Sequence, residues 1–184
     1  IYIVEDPILL EISSVLVADS IDCYGDLDGR AVVTMSPSSG SPSYSYLWDN
    51  GETSLVANSL SGGLHTVTVT DSRGCVVVGS VDIPENSQIS STLLITNPIS
   101  CYGDNDGSIQ VSTLGGVQLL TTPGYDYFWS NGVSSNINYI DNLSQGSYFI
   151  TTRDALGCVI VDSIYLPEPS PLYVNASQIL RVSC

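Results

Sequence analysis

Residues 62–75 read GGLHTVTVTDSRGC. Within them His65-Thr66-Val67-Thr68-Val69-Thr70 alternates apolar and polar side chains with the period of two that marks a β-strand. Val67 and Val69 are therefore expected to face a core, and the threonines solvent or a sheet neighbour. The strand ends in Asp71-Ser72-Arg73-Gly74-Cys75, a turn signal that delivers a cysteine.

The same stretch returns later in the chain. QGSYFITTRDALGC at 145–158 keeps Gly63/Gly146, Asp71/Asp154, Gly74/Gly157 and Cys75/Cys158 at an offset of 83. Upstream, CYGDLDG at 23–29 reappears as CYGDNDG at 101–107, and YSYLWDNG at 44–51 as YDYFWSNG at 125–132. The offset grows from 78 to 81 between these motifs, which places about three inserted residues near the loop from Gln118 to Gly124. Downstream, VDIPE at 81–85 matches IYLPE at 164–168. Two units are thus expected, 8–85 and 86–168. Residues 1–7 resemble the tail of a preceding unit, and 169–184 the opening strand of a third that reaches its first cysteine at Cys184. Both ends read as cuts through a longer array.

Short strands separated by turn residues, with no helical apolar period, predict an all-β fold. Strands are expected near 9–18, 29–36, 43–49, 53–58, 64–71 and 75–83. In the second unit they fall near 88–97, 107–114, 125–130, 134–140, 147–153 and 158–166. Six or seven strands in about 80 residues is the pattern of a small Ig-like two-sheet sandwich. A unit of that size buries only about 60% of its unfolded surface, so a covalent staple is expected. Pairing Cys23 with Cys75 and Cys101 with Cys158 repeats in both units, and a loop of 53 residues contributes about 4 kcal/mol by chain entropy. Cys184 then has its partner outside the fragment. The alternative, Cys75 to Cys101 across the junction, would stiffen the array.

Composition excludes several partners. The chain has 19 acidic residues against four arginines and no lysine, for a net charge of -15. That opposes the counterion release on which nucleic-acid binding depends, and an acidic membrane surface would repel it. Charged residues are only 12% of the chain and apolar residues 43%, so the acidity is not that of a disordered tail. No run of about 18 apolar residues is present, so no direct membrane insertion by a helix is expected. Regularly spaced cysteines without a histidine cluster suit an oxidising compartment rather than a zinc site.

Trp48 and Trp129, each in a strand with alternating tyrosines, are expected in the core. Were they exposed instead, they would form an aromatic strip able to stack on sugar rings. His65 alone cannot build a metal site and reads as a packed strand residue. Asp26 and Asp28, with Asp104 and Asp106, carry a calcium alternative, since two carboxylates beside a glycine turn offer hard oxygens to one cation. The EF-hand spacing is missing, however: on that register Tyr24 and Met35 would stand where carboxylates are needed. Asp71 or Asp154 would have to complete such a site. The simpler reading is an Asp-Gly turn into a strand, with no cofactor. No catalytic constellation is visible, so no enzyme is expected. Ser20 and Ser163, each between an aspartate and an isoleucine, fit a short O-glycosylation signal, and Asn142 and Asn175 fit the N-glycan sequon.

C-Y-G-D-x-D-G, then Y-x-Y-x-W-x-N-G, then a threonine-rich strand closed by D-x-x-G-C, then a P-E ending is a succession similar to the SprB repeat. That family occurs in very large cell-surface adhesins and other secreted proteins of gliding and related Bacteroidetes. The resemblance implies an Ig-like sandwich, type IX secretion to the surface of a Gram-negative cell, and a part in gliding and attachment. The expected role is a spacer and adhesion array whose partners are neighbouring repeats and surface polysaccharide or the substratum. Direct polysaccharide binding, or service as accessory modules of a secreted enzyme, are the alternatives.

Overall fold

A computed structural model describes residues 8–130 and 137–175. The expectations for residues 1–7, for part of the strand at 134–140 and for Cys184 lie outside the described residues. The described chain is all β, and it divides into two compact units. The first holds the chain up to Ile89 together with Gly115–Val117 and Ala155–Cys158. The second holds Ser90–Leu114, Gln118–Asp154 and the chain from Val159 onward.

In the first unit the strands are β1 (Ile12–Asp19), β2 (Gly29–Met35), β3 (Ser45–Trp48), β4 (Val56–Leu60), β5 (Gly63–Thr70) and β6 (Val76–Ile83). They form two antiparallel sheets, β1-β2-β4 and β3-β5-β6. Facing three-stranded sheets make the Ig-like sandwich. Val67 and Val69 are fully buried, as their alternation requires, and meet Ala31 and Val33 of β2, Ala57 and Leu60 of β4, and Trp48 in one core. Each buried valine contributes about 1.5–3 kcal/mol by leaving water. β4 begins three residues later than expected. Residues 52–55 are spent on a turn, in which the Trp48 indole N–H donates to the Ser54 carbonyl and the Glu52 carboxylate accepts the amides of Asn58 and Ser59.

The second unit repeats this plan with β7 (Ser90–Asn97), β8 (Gly107–Leu114), β9 (Asp126–Trp129), β10 (Tyr139–Leu143), β11 (Gly146–Arg153) and β12 (Val159–Leu166). Its sheets are β7-β8-β10 and β9-β11-β12, the same order strand for strand. Trp129 occupies the place of Trp48, buried, its indole N–H donating to the Ile137 carbonyl.

The cysteine loops as the candidate functional site

The C-Y-G-D segment folds as a tight turn in both repeats. The Asp26 amide donates to the Cys23 carbonyl at 3.0 Å, and the Asp104 amide to the Cys101 carbonyl at 3.1 Å. Gly25 and Gly103 stand third in these turns with φ of 84° and 82°, a conformation that glycine adopts without a Cβ penalty. Each turn is tied to the P-E ending of its own repeat. A Glu85 carboxylate oxygen accepts the Gly25 amide at 2.6 Å, and a Glu168 oxygen accepts the Gly103 amide at 2.9 Å. In the first repeat Ile21 adds a backbone bond to the Pro84 carbonyl, and the Asn86 side chain donates to the carbonyls of Ile21 and Asp22. Sequence reasoning gave these glutamates no role, although the C-Y-G-D and P-E motifs repeat together.

The last glycine of the motif serves a different purpose. A Cβ on Gly29 would lie 2.8 Å from the Leu60 carbonyl oxygen and 2.9 Å from Ile21 and Ile83 side-chain carbons. On Gly107 it would lie 2.5 Å from a Leu166 methyl and 3.0 Å from the Leu143 carbonyl oxygen. Glycine is needed there because the core closes over the backbone.

The disulfide departs from expectation. Cys23 is bonded to Cys158, across 135 positions of sequence, while Cys75 and Cys101 are free and exposed. The pairs Cys23–Cys75 and Cys101–Cys158 are therefore corrected, and so is one disulfide closed within each module; the junction alternative, Cys75 to Cys101, is not formed either. Strand length supplies the reason. Cys75 immediately precedes β6, whereas Cys23 sits at its other end, beside Pro84 and Glu85. A strand of eight residues spans about 26 Å, and bonded cysteines need Cα atoms within about 7 Å. In the second repeat β12, also eight residues, intervenes in the same way between Cys158 and the turn of Cys101. The Cα atoms of Cys23 and Cys158 lie 5.6 Å apart.

The corner that carries the second cysteine is organised by an aspartate. Asp71 accepts the amides of Ser41, Cys75 and Arg73, each at 2.9 Å. The Ser41 amide is the largest cause holding its carboxyl below the usual range, with Cys75 and Arg73 adding to it against the opposing cost of desolvation. Asp154, its counterpart, is buried as well.

The aspartates that carried the calcium alternative lie in the C-Y-G-D turns. Asp104 and Asp106 accept hydrogen bonds from the Ser100 hydroxyl and amide respectively, and the Ser100 contacts hold the Asp106 carboxyl below its ordinary range. Among the described residues, no group of three or more His, Cys, Asp or Glu side chains is arranged to hold a metal ion; Asp26 and Asp28 gain no third carboxylate, and Asp71 is committed to backbone amides. Ser20 and Ser163 are both exposed, Ser20 just after β1 and Ser163 within β12.

One cluster went unseen in the sequence. His65 is buried, its Nδ1 3.0 Å from Asp49 Oδ1 and its Nε2 3.2 Å from the Ser61 hydroxyl. Asp, His and Ser in line have the outline of a hydrolytic triad. Two observations assign the cluster to structure instead. Nε2 lies closer to the Ser61 carbonyl, at 2.9 Å, than to its hydroxyl, so the ring is packed against the backbone of residue 61 rather than aimed at the hydroxyl alone. In the second repeat, moreover, Tyr148 replaces His65 and its hydroxyl donates to the Ser144 carbonyl at 2.8 Å, the same bond made by another residue. The shared offset of Ser61/Ser144 and His65/Tyr148 was the available signal.

The family model for the SprB repeat matches residues 16–53 and 93–134. The chain carries SprB repeats. The two matches begin in equivalent strands and each spans one C-Y-G-D turn and one core tryptophan. Repeats of this family belong to surface-exposed proteins, and among the described residues no helix is long and apolar enough to cross a membrane. No curated protein matches the chain. Among solved structures, extracellular domains 3–5 of Drosophila OTK align at 15% identity over 86% of this chain and 63% of theirs, with a TM-score of 0.36. A C-terminal 282-residue fragment of intimin, solved with the intimin-binding domain of its translocated receptor, aligns at 14% identity over 85% and 64%, with a TM-score of 0.38. An amphioxus IgVJ-C2 molecule aligns at 12% identity over 85% and 97%, with a TM-score of 0.33. The chain spans less than two thirds of the first two.

Proposed function

We propose that this segment is a non-catalytic spacer within a large secreted adhesin of a Gram-negative cell, exported by type IX secretion and serving gliding and surface attachment. The observation that carries the reading is the duplication of one internally satisfied module. Both copies keep the same sheet order, the same Glu-to-turn tie and a tryptophan enclosed in the core. A module whose largest aromatic residues are buried has lost its best platform for sugar rings, which weakens the direct polysaccharide-binding alternative. The acidic surface keeps neighbouring copies soluble and apart.

The decisive experiment replaces this segment, in the gene of its parent protein, with an equal number of unrelated Ig-like sandwiches and scores cell attachment and gliding. Restoration of both supports a spacer. Loss of both, with the chimaera still displayed on the surface, means that the repeats themselves make the contact. The modules are proposed to need no cofactor, so EDTA and millimolar calcium should give the same thermal midpoint for the chain; a rise of several degrees with calcium would return the Asp-x-Asp-Gly loops to consideration.

A further inference from the structure

The two free thiols of the described chain are the repeat counterparts of the two bonded ones. Cys101 stands where Cys23 stands, at the head of a C-Y-G-D turn, and Cys75 stands where Cys158 stands, closing a D-x-x-G-C corner. The local structure is equivalent as well. The turns at Cys23 and Cys101 share the Cys-carbonyl bond, the positive-φ glycine and the glutamate tie. Gly74 and Gly157 take φ of 85° and 91° immediately before Cys75 and Cys158. A lone exposed cysteine would mean little; here the matching pair of positions is already joined in the same chain.

We propose that Cys75 and Cys101 each close a disulfide with a further copy of this module, Cys101 with that copy's second cysteine and Cys75 with its first. The partner is therefore another SprB-type module presenting the complementary corner. The bond Cys23–Cys158 is one rung of the series, always from the first cysteine of one repeat to the second cysteine of the next. Its formation releases two protons and two electrons, which a disulfide oxidant such as oxidised glutathione takes up as it becomes two thiols. The inference rests on the repeat symmetry and does not depend on what the array adheres to.

A second molecule of this chain carries both complementary cysteines and serves as the probe. In a Cys184→Ser background, Cys75→Ser leaves only Cys101 free and Cys101→Ser leaves only Cys75. The two variants are mixed under glutathione buffer, and the products are resolved on non-reducing gels and by peptide mass mapping. The expected result is a Cys75–Cys101 heterodimer exceeding either homodimer about tenfold, against the roughly twofold excess of random pairing, a ratio that corresponds to a docking preference of about 1 kcal/mol. The Cys184→Ser chain with both thiols present should form a head-to-tail ladder. Homodimers in similar yield, thiols that stay reduced, or mapping of Cys23 to Cys75 and Cys101 to Cys158 would each overturn the proposal. The mapping also reads the Cys23–Cys158 bond directly, so a failure of docking is distinguished from an error in that pairing.

Discussion

The first repeat holds the carbonyl of Ser61 with a histidine, and the second holds the equivalent carbonyl of Ser144 with a tyrosine. Nearby, Asp49 accepts the Thr66 amide where Ser130 accepts the Phe149 amide. Different side chains thus satisfy the same backbone groups at the same places. The fold therefore sets a polar side chain against the same carbonyls and amides in both repeats, and it leaves the identity of the partner open. The repeats also differ where nothing compensates. Val69 in the first is Thr152 in the second, fully buried, and the Thr152 hydroxyl has no hydrogen-bond partner among the described residues.

Four measurements probe this comparison, and the largest effect is expected from the bond that the two repeats share. Reducing Cys23–Cys158 opens a loop spanning 135 positions, so urea unfolding of the reduced chain should show a loss approaching about 5 kcal/mol on the chain-entropy estimate. A loss confined to the first repeat and matched by an independent one in the second would point instead to closure within each repeat. Next come Gly29→Ala and Gly107→Ala, each expected to destabilise by about 1–3 kcal/mol through overpacking. Because Gly29 faces a carbonyl oxygen at 2.8 Å and Gly107 chiefly a movable leucine methyl, the Gly29 variant should show the lower denaturation midpoint.

Thr152→Val gives the second repeat the residue of the first, and a gain of about 1 kcal/mol is expected once the unsatisfied hydroxyl is removed. A loss in chemical denaturation would reveal a partner for that hydroxyl. The smallest effects are reserved for His65. His65→Tyr should change stability by less than about 0.5 kcal/mol, since it installs the solution used at Tyr148, whereas His65→Phe forfeits the donor and should cost about 1 kcal/mol. Equal costs for the two variants would mean that the bond to Ser61 is incidental.

These differences explain what could be read from residues alone. Periodicity exposed β5 and the core places of Val67 and Val69, because alternate burial leaves a direct imprint on side-chain type. Self-similarity exposed the repeated order of strands, since equivalent strands carry equivalent motifs. Cysteine pairing left no such imprint: the pairing that repeats in both units and closes each one on itself was favoured, while the intervening β6 carries Cys23 and Cys75 to opposite ends of the sheet. The strand had been legible at 75–83, but that Cys23 lies at its far end, beside Pro84 and Glu85, is seen only in the structure. The ties from Glu85 and Asp49 were hidden because a carboxylate that accepts backbone amides looks, in a sequence, like any solvated acid.

A bond between Cys23 and Cys158 also changes how the chain carries tension. If the polypeptide is pulled along its length, strain entering at one cysteine leaves through the other, and residues 24–157 lie off that path inside a closed covalent loop. Fully stretched, those residues would measure roughly 450 Å, a length that stays locked away however far the sandwiches themselves are unravelled. For a repeat of a surface protein under tension, the crosslink is a limit on extensibility that only a reductant, and not force on the strands, can lift.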